Sequence, residues 1–95
     1  MEDIIESIKE PILELRKIGI EELKNVKVKI GYIIKNNIKD ENIIEHTLDE
    51  LLNLTYIFGS DIEDVYYNLV DYYKTIDLES SNDYKKYYLS IIKDF

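Results

Sequence analysis

The sequence predicts an all-α protein, a compact antiparallel bundle of four to five helices in a single domain covering residues 1–95. Three observations carry that prediction. Apolar residues recur at three- and four-residue spacing through most of the chain. Three glycines and one proline are too few for the closely spaced turns of an all-β fold. The interruptions between periodic segments are short, which favours antiparallel neighbours. A chain of 95 residues is one domain, with a core sufficient for independent folding and little surplus.

The first segment spans roughly residues 3–18, where Ile4, Ile5, Ile8, Ile12 and Leu15 share a helical face. Pro11 lacks an N–H and is expected to kink or split this helix, and Gly19 is the expected stop. The second segment covers about 20–37. Its "NVKVKIGYI" alternates like a strand. A lone strand would leave its backbone unpaired, and no second strand candidate lies nearby. Ile20, Leu23, Val26, Ile30, Ile33 and Ile34 fall on one helical face, so the segment is expected to be helix, with Val28 and Tyr32 left on its outer side.

The third segment, about 41–58, should start at Asp40 as N-cap and end at Gly59. Its apolar arc of Ile43, Ile44, Leu48, Leu51, Leu52, Leu54, Ile57 and Phe58 covers about half the circumference, which marks the central helix. The fourth begins with a capping box, Ser60 with Glu63. Its core face is Ile62, Val65, Tyr66, Leu69, Val70, Tyr73 and Ile76. The fifth, about 81–94, opens at Ser80–Ser81 and turns Tyr84, Tyr87, Tyr88, Ile91 and Phe95 inward.

Charge narrows the function classes. The chain holds 12 basic and 20 acidic residues, net −8. The first 47 residues hold 8 and 10, net −2, and the rest hold 4 and 10, net −6. Phosphate contacts need lysine and arginine, so the acidic C-terminal half argues against nucleic acid as partner and for a basic protein. No apolar run approaches the ~20 residues of a membrane span, and the acidic N-terminus is unlike a secretory signal. With no cysteine in the chain, a cytoplasmic location is expected.

No residue set points to catalysis. There is no thiolate nucleophile, no serine near the single histidine in a tight turn, and no glycine-rich phosphate loop. His46 has Asp49 and Glu50 within helical reach, but a transition-metal site needs three or four ligands. The plainer reading is a solvated stripe of Asn42, Glu45, His46, Asp49 and Asn53. All-α magnesium-dependent nucleotide pyrophosphohydrolases carry EExxE and ExxD helices. Here Glu21–Glu22 is followed by Asn25, and Glu50 by Asn53, so each motif lacks its last acid. "NLT" at Asn53 matches a glycosylation pattern but sits inside a helix. The expectation is a protein that is not an enzyme and uses no metal and no cofactor.

The candidate contact face lies on the fourth segment, Asp61, Glu63, Asp64, Tyr67, Asp71 and Tyr72: the stripe Asp64, Tyr67, Asp71 points away from the core, with Tyr72 and Asn68 beside it. Tyrosine offers large contact area at low entropic cost, and acids steer a basic partner. A second possibility is that neighbouring helices cover these tyrosines.

"HTLDELLNL", "VYYNLVDYYKTID" and "DYKKYYLSIIKD" resemble the C-terminal half of small all-helical immunity proteins that accompany nuclease toxins of contact-dependent growth inhibition. Leu48, Asp49, Leu51, Leu52, Tyr66, Leu69, Tyr72, Tyr73, Asp77, Tyr84 and Tyr88 carry the likeness, over roughly residues 44–94. The lysine-bearing second segment is not part of it. The resemblance implies a cytoplasmic antitoxin that binds a toxin domain and blocks its active site. An acidic helical scaffold would also serve a phage-encoded, nucleic-acid-mimicking inhibitor of a host defence protein (anti-CRISPR-like). A homo-oligomer with a tyrosine seam is a further alternative.

Overall fold

The alternating stretch at 25–34 is helical, and it belongs to a longer helix than the sequence suggests. The computed structural model describes residues 2–94, and the side chains of residues 16–94. In it α1 runs unbroken over Glu2–Lys35. The expected division at Gly19 does not occur, and Pro11 does not split the helix. Gly19 has a different task. A Cβ there would come within 3.2 Å of Ile57 Cδ1 and 3.3 Å of the Phe58 ring. The glycine therefore allows α1 to cross close to the end of the next helix; it is not a stop. The face assigned to Ile4, Ile5, Ile8, Ile12 and Leu15 lies outside the described side chains.

The real stop is Asn37, which takes a left-handed conformation at φ 50°. The Ile38 N–H then returns to the Ile33 carbonyl at 3.0 Å, closing the helix end. Of the expected core face of this region, Val26, Ile30 and Ile33 are buried, with Leu23 and Ile34 packed beside them. Ile20 is 45 % exposed, because it lies about 100° round the helix from Gly19, which faces α2. Val28 and Tyr32 face outward as expected.

α2 (Glu41–Phe58) follows the sequence reading closely. The Asp40 carboxylate accepts from the N–H groups of Asn42 and Ile43. Gly59 closes the helix at φ 58°, ψ −135°, a region that disfavours side chains. Ile44, Leu48, Leu51 and Leu54 are buried, and α2 contacts every other element. Ile43 and Ile57, at the rims of the predicted arc, are 43 % and 38 % exposed. The Lys29–Glu50 pair and the Gly19–Phe58 approach show that α1 and α2 run antiparallel.

The expected capping box is absent. Gly59–Ile62 forms a 3-10 turn, and α3 (Glu63–Lys74) starts after it with no side-chain cap. The tight turn carries the backbone directly into α3, so Ser60 is not in cap position. Ile62, Tyr66, Leu69, Val70 and Tyr73 are buried as expected. α4 (Leu78–Lys93) starts earlier than the sequence suggests, because the Asp77 carboxylate caps it through the Ser80 N–H and hydroxyl. Tyr84 and Tyr88 are buried, whereas Tyr87 is 51 % exposed and not part of the inward face. Phe95 lies outside the described residues. Among the described residues there is no strand, and the chain is a compact all-helical fold. The 55 Å long dimension matches α1, whose 34 residues rise about 51 Å.

Candidate partner-binding face

The outer side of the 3-10 turn and α3 carries four exposed acids: Asp61, Glu63, Asp64 and Asp71. Glu63 and Asp64 occupy the first turn of α3, where the helix dipole favours negative charge. Among the described residues, ion pairs within 4.0 Å involve only Glu50, with Lys29 and His46. The four acids therefore present their charge outward without a counter-ion among the described residues.

Tyr67 sits among them, half-buried. Its ring stands edge-on to Tyr66 at 6.1 Å and to Tyr88 at 5.6 Å between centroids. Lys85 Nζ lies 5.8 Å from the Tyr67 ring centroid, near the limit of a cation–π contact. Burial raises the Tyr67 hydroxyl pKa above its ordinary value, and the charges of Glu63 and Asp71 raise it further. Tyr72 is also half-buried, and its hydroxyl is committed. It donates to the Ile38 carbonyl at 2.7 Å and ties α3 to the α1–α2 connection. Five of the six sequence-predicted residues are the exposed acids and Tyr67, whereas Tyr72, five residues and about 140° round the helix from Tyr67, turns to the α1–α2 connection. The fold makes Tyr67 a wall of the aromatic core with one side outward, and gives Tyr72 a structural bond.

The sequence reading missed a second constellation. Glu41, Glu45 and Asp49 recur every four residues on α2 and face α3 and α4. The Tyr73 hydroxyl donates to Glu45 and, at 3.4 Å, to Glu41. The Tyr84 hydroxyl donates to Asp49 at 3.0 Å and reaches Glu45 at 3.5 Å. The buried Tyr66 hydroxyl donates to the Tyr84 carbonyl at 2.7 Å. Burial drives the pKa values of Tyr66, Tyr73 and Tyr84 upward, reinforced at Tyr73 and Tyr84 by the acids they bond. Tyr88 is different. Its buried hydroxyl makes no hydrogen bond, and burial with the nearby Glu63 charge pushes it up to about 12. At the end of the row, the neighbouring Asp77 carboxyl holds Glu41 above the usual carboxylate range. Asp77 itself is held low by the Ser80 N–H and hydroxyl. Of the expected solvated stripe, Asn42, His46, Asp49 and Asn53 are exposed and Glu45 is half-buried, and both Glu45 and Asp49 also accept from tyrosine hydroxyls. The four-residue spacing of the three acids was the available signal.

His46 is exposed and lies 3.2 Å from Glu50 Oε1, the oxygen that also takes Lys29 Nζ at 2.9 Å. That engagement removes Glu50 as a free ligand for a cation. Among the described residues no group of three His, Cys, Asp or Glu side chains is placed to hold a metal ion. Two open depressions, of about 470 and 320 Å³, are lined by Lys17, Ile18, Ile20 and Glu21, and by Tyr56, Ser90, Ile91 and Asp94. Neither includes an α3 residue. The α3 face is charged and lines neither depression, whereas small-ligand sites are enclosed and mostly apolar.

No helix among the described residues is long and apolar enough to cross a membrane. The chain matches no family model, no curated protein and no solved structure.

Proposed function

We propose that this chain is a small acidic protein-binding inhibitor, an immunity or antitoxin-like protein that binds and blocks a basic nuclease toxin in the cytoplasm. One observation carries the reading. Asp61, Glu63, Asp64 and Asp71 stand exposed around Tyr67 with no cationic partner among the described residues. A nuclease must hold phosphate and is basic at its active site, so the same surface attracts an acidic inhibitor. The four acids supply steering, which raises the rate of encounter. Tyr67 supplies a ring already fixed by Tyr66 and Tyr88, so little side-chain freedom is lost on contact. The Tyr72 hydroxyl is spent on Ile38, so that residue contributes ring surface only.

The first test is co-expression with the product of the adjacent gene. Toxicity of the neighbour alone, rescue by this protein and co-purification of the two support the reading. Absence of toxicity removes it and favours a phage-type inhibitor of a defence protein. With the complex in hand, Asp64→Lys with Asp71→Lys is expected to slow association about tenfold at low salt while changing dissociation little. An unchanged association rate rules out α3 as the steering face.

A further inference from the structure

The α3 face holds a place that the fold leaves chemically incomplete. Glu63, Tyr67 and Asp71 follow one another at four-residue steps, so they form one line along the outer side of α3. Both acids are exposed, and among the described residues neither has a cation within 4.0 Å. Behind that line lies Tyr88. Its ring is fully buried, stacked on Tyr66 at 4.9 Å and edge-on to Tyr67 at 5.6 Å between centroids. Its hydroxyl makes no hydrogen bond. The Glu63 charge acts on that hydroxyl, so the phenol end of Tyr88 lies toward the acid. A buried hydroxyl left unpaired is costly, and an incoming group that bonds it recovers the cost. A cation is already drawn to the spot. Lys85 Nζ lies 5.8 Å from the Tyr67 centroid, yet it pairs with none of the acids.

We infer that this place takes the guanidinium of an arginine presented by a basic protein partner. Three features select it. The Glu63 carboxylate matches a planar fork of N–H donors, which an ammonium lacks. The Tyr67 ring offers a face to a flat cation, and Lys85, at the outer limit of such a contact, is readily displaced. A guanidinium bonded to Glu63 also has N–H groups to spare. The Tyr88 hydroxyl oxygen accepts one of them while its own proton turns to Glu63, so the buried hydroxyl is satisfied as donor and as acceptor. Tyr67, half-buried, is the ring that moves to admit the group, and the Tyr66–Tyr88 stack stays in place. Asp71, one turn beyond Tyr67, adds attraction without a direct bond. The inference rests on α3 as the contact face, and not on the partner being a nuclease.

Titration calorimetry on the full chain, with hexa-arginine amide and hexa-lysine amide at about 0.15 M salt, tests it. The two peptides carry equal charge, so attraction to the acids alone treats them alike. Wild type is expected to bind hexa-arginine at least about fivefold more tightly than hexa-lysine. Tyr88→Phe keeps the ring and removes only the hydroxyl. It is expected to bring the two affinities within about twofold of each other by weakening hexa-arginine alone. Tyr67→Leu, with helix content by circular dichroism unchanged, is expected to do the same. Equal affinity of wild type for the two peptides, or a preference that survives either substitution, overturns the inference. The co-expression test can fail while arginine selectivity holds, and selectivity can fail while co-expression succeeds, so the two readings fall separately.

Discussion

The inner and outer tyrosines of α3 are sequence neighbours with different tasks. Tyr66 and Tyr73 face inward, are fully buried, and place their hydroxyls on a carbonyl and on carboxylates of other helices. Tyr67 and Tyr72 sit one residue away on the helix and stay half-buried. Tyr72 bonds a connection, and Tyr67 gives its ring to the core wall and its outer side to solvent. The difference teaches that a tyrosine-rich helix can lock a core and furnish a surface together. Which task a ring takes follows from its place around the helix and not from its hydroxyl, since Tyr72 is bonded yet half-buried.

The contrast is sharpest in alkali. The folded state holds Tyr66, Tyr73, Tyr84 and Tyr88 protonated well above the ordinary tyrosine pKa of 10.0. A raised acid pKa means that the unfolded chain releases these protons first. The stabilisation is therefore complete below pH about 10 and lost as pH rises through about 12, the Tyr88 value. Cooperative loss of helix in that window is the largest expected effect. Inner rings that ionise at pH about 10 while the helices persist would break the comparison.

Substitutions sort the hydroxyls one by one. Tyr66→Phe removes a buried hydrogen bond to the Tyr84 carbonyl, which keeps its helical N–H partner, and should cost about 0.5–1.5 kcal/mol in denaturant unfolding. Tyr72→Phe removes a bond at the half-buried edge and should cost ~1 kcal/mol or less. Tyr88→Phe removes a buried hydroxyl that makes no hydrogen bond, so stability should stay level or rise by up to ~1 kcal/mol. If Tyr88→Phe proves as costly as Tyr66→Phe, the Tyr88 hydroxyl has a partner after all, with Glu63 the nearest candidate.

Much of this fold was legible because its signals are local. Asp40 and Gly59 framed α2 by side-chain chemistry and backbone conformation, and the periodic isoleucines and leucines placed the core face. Misreadings arose where distant contacts decide. Gly19 reads as a stop in sequence, and only the approach of Ile57 and Phe58 shows why a small residue sits mid-helix. Ser60 with Glu63 has the spelling of a capping box, but the 3-10 turn uses those positions first. The acids of the α3 face could be read directly, because exposure follows from helical phase. The commitment of the Tyr72 hydroxyl could not, since Ile38 lies 34 residues away.

The Tyr66–Tyr88 stack, 4.9 Å between centroids and 22° between planes, has an optical consequence. The chain holds nine tyrosines, two phenylalanines and no tryptophan, so tyrosine dominates its near-ultraviolet spectrum. Coupled transitions in the stacked pair give a circular-dichroism band that reports whether α3 and α4 are docked. Tyr32, Tyr56 and Tyr87, each more than half exposed, contribute emission that soluble quenchers can reach. The molecule thus carries two intrinsic gauges, one for the seating of its last two helices and one for what covers its surface, and neither requires a label.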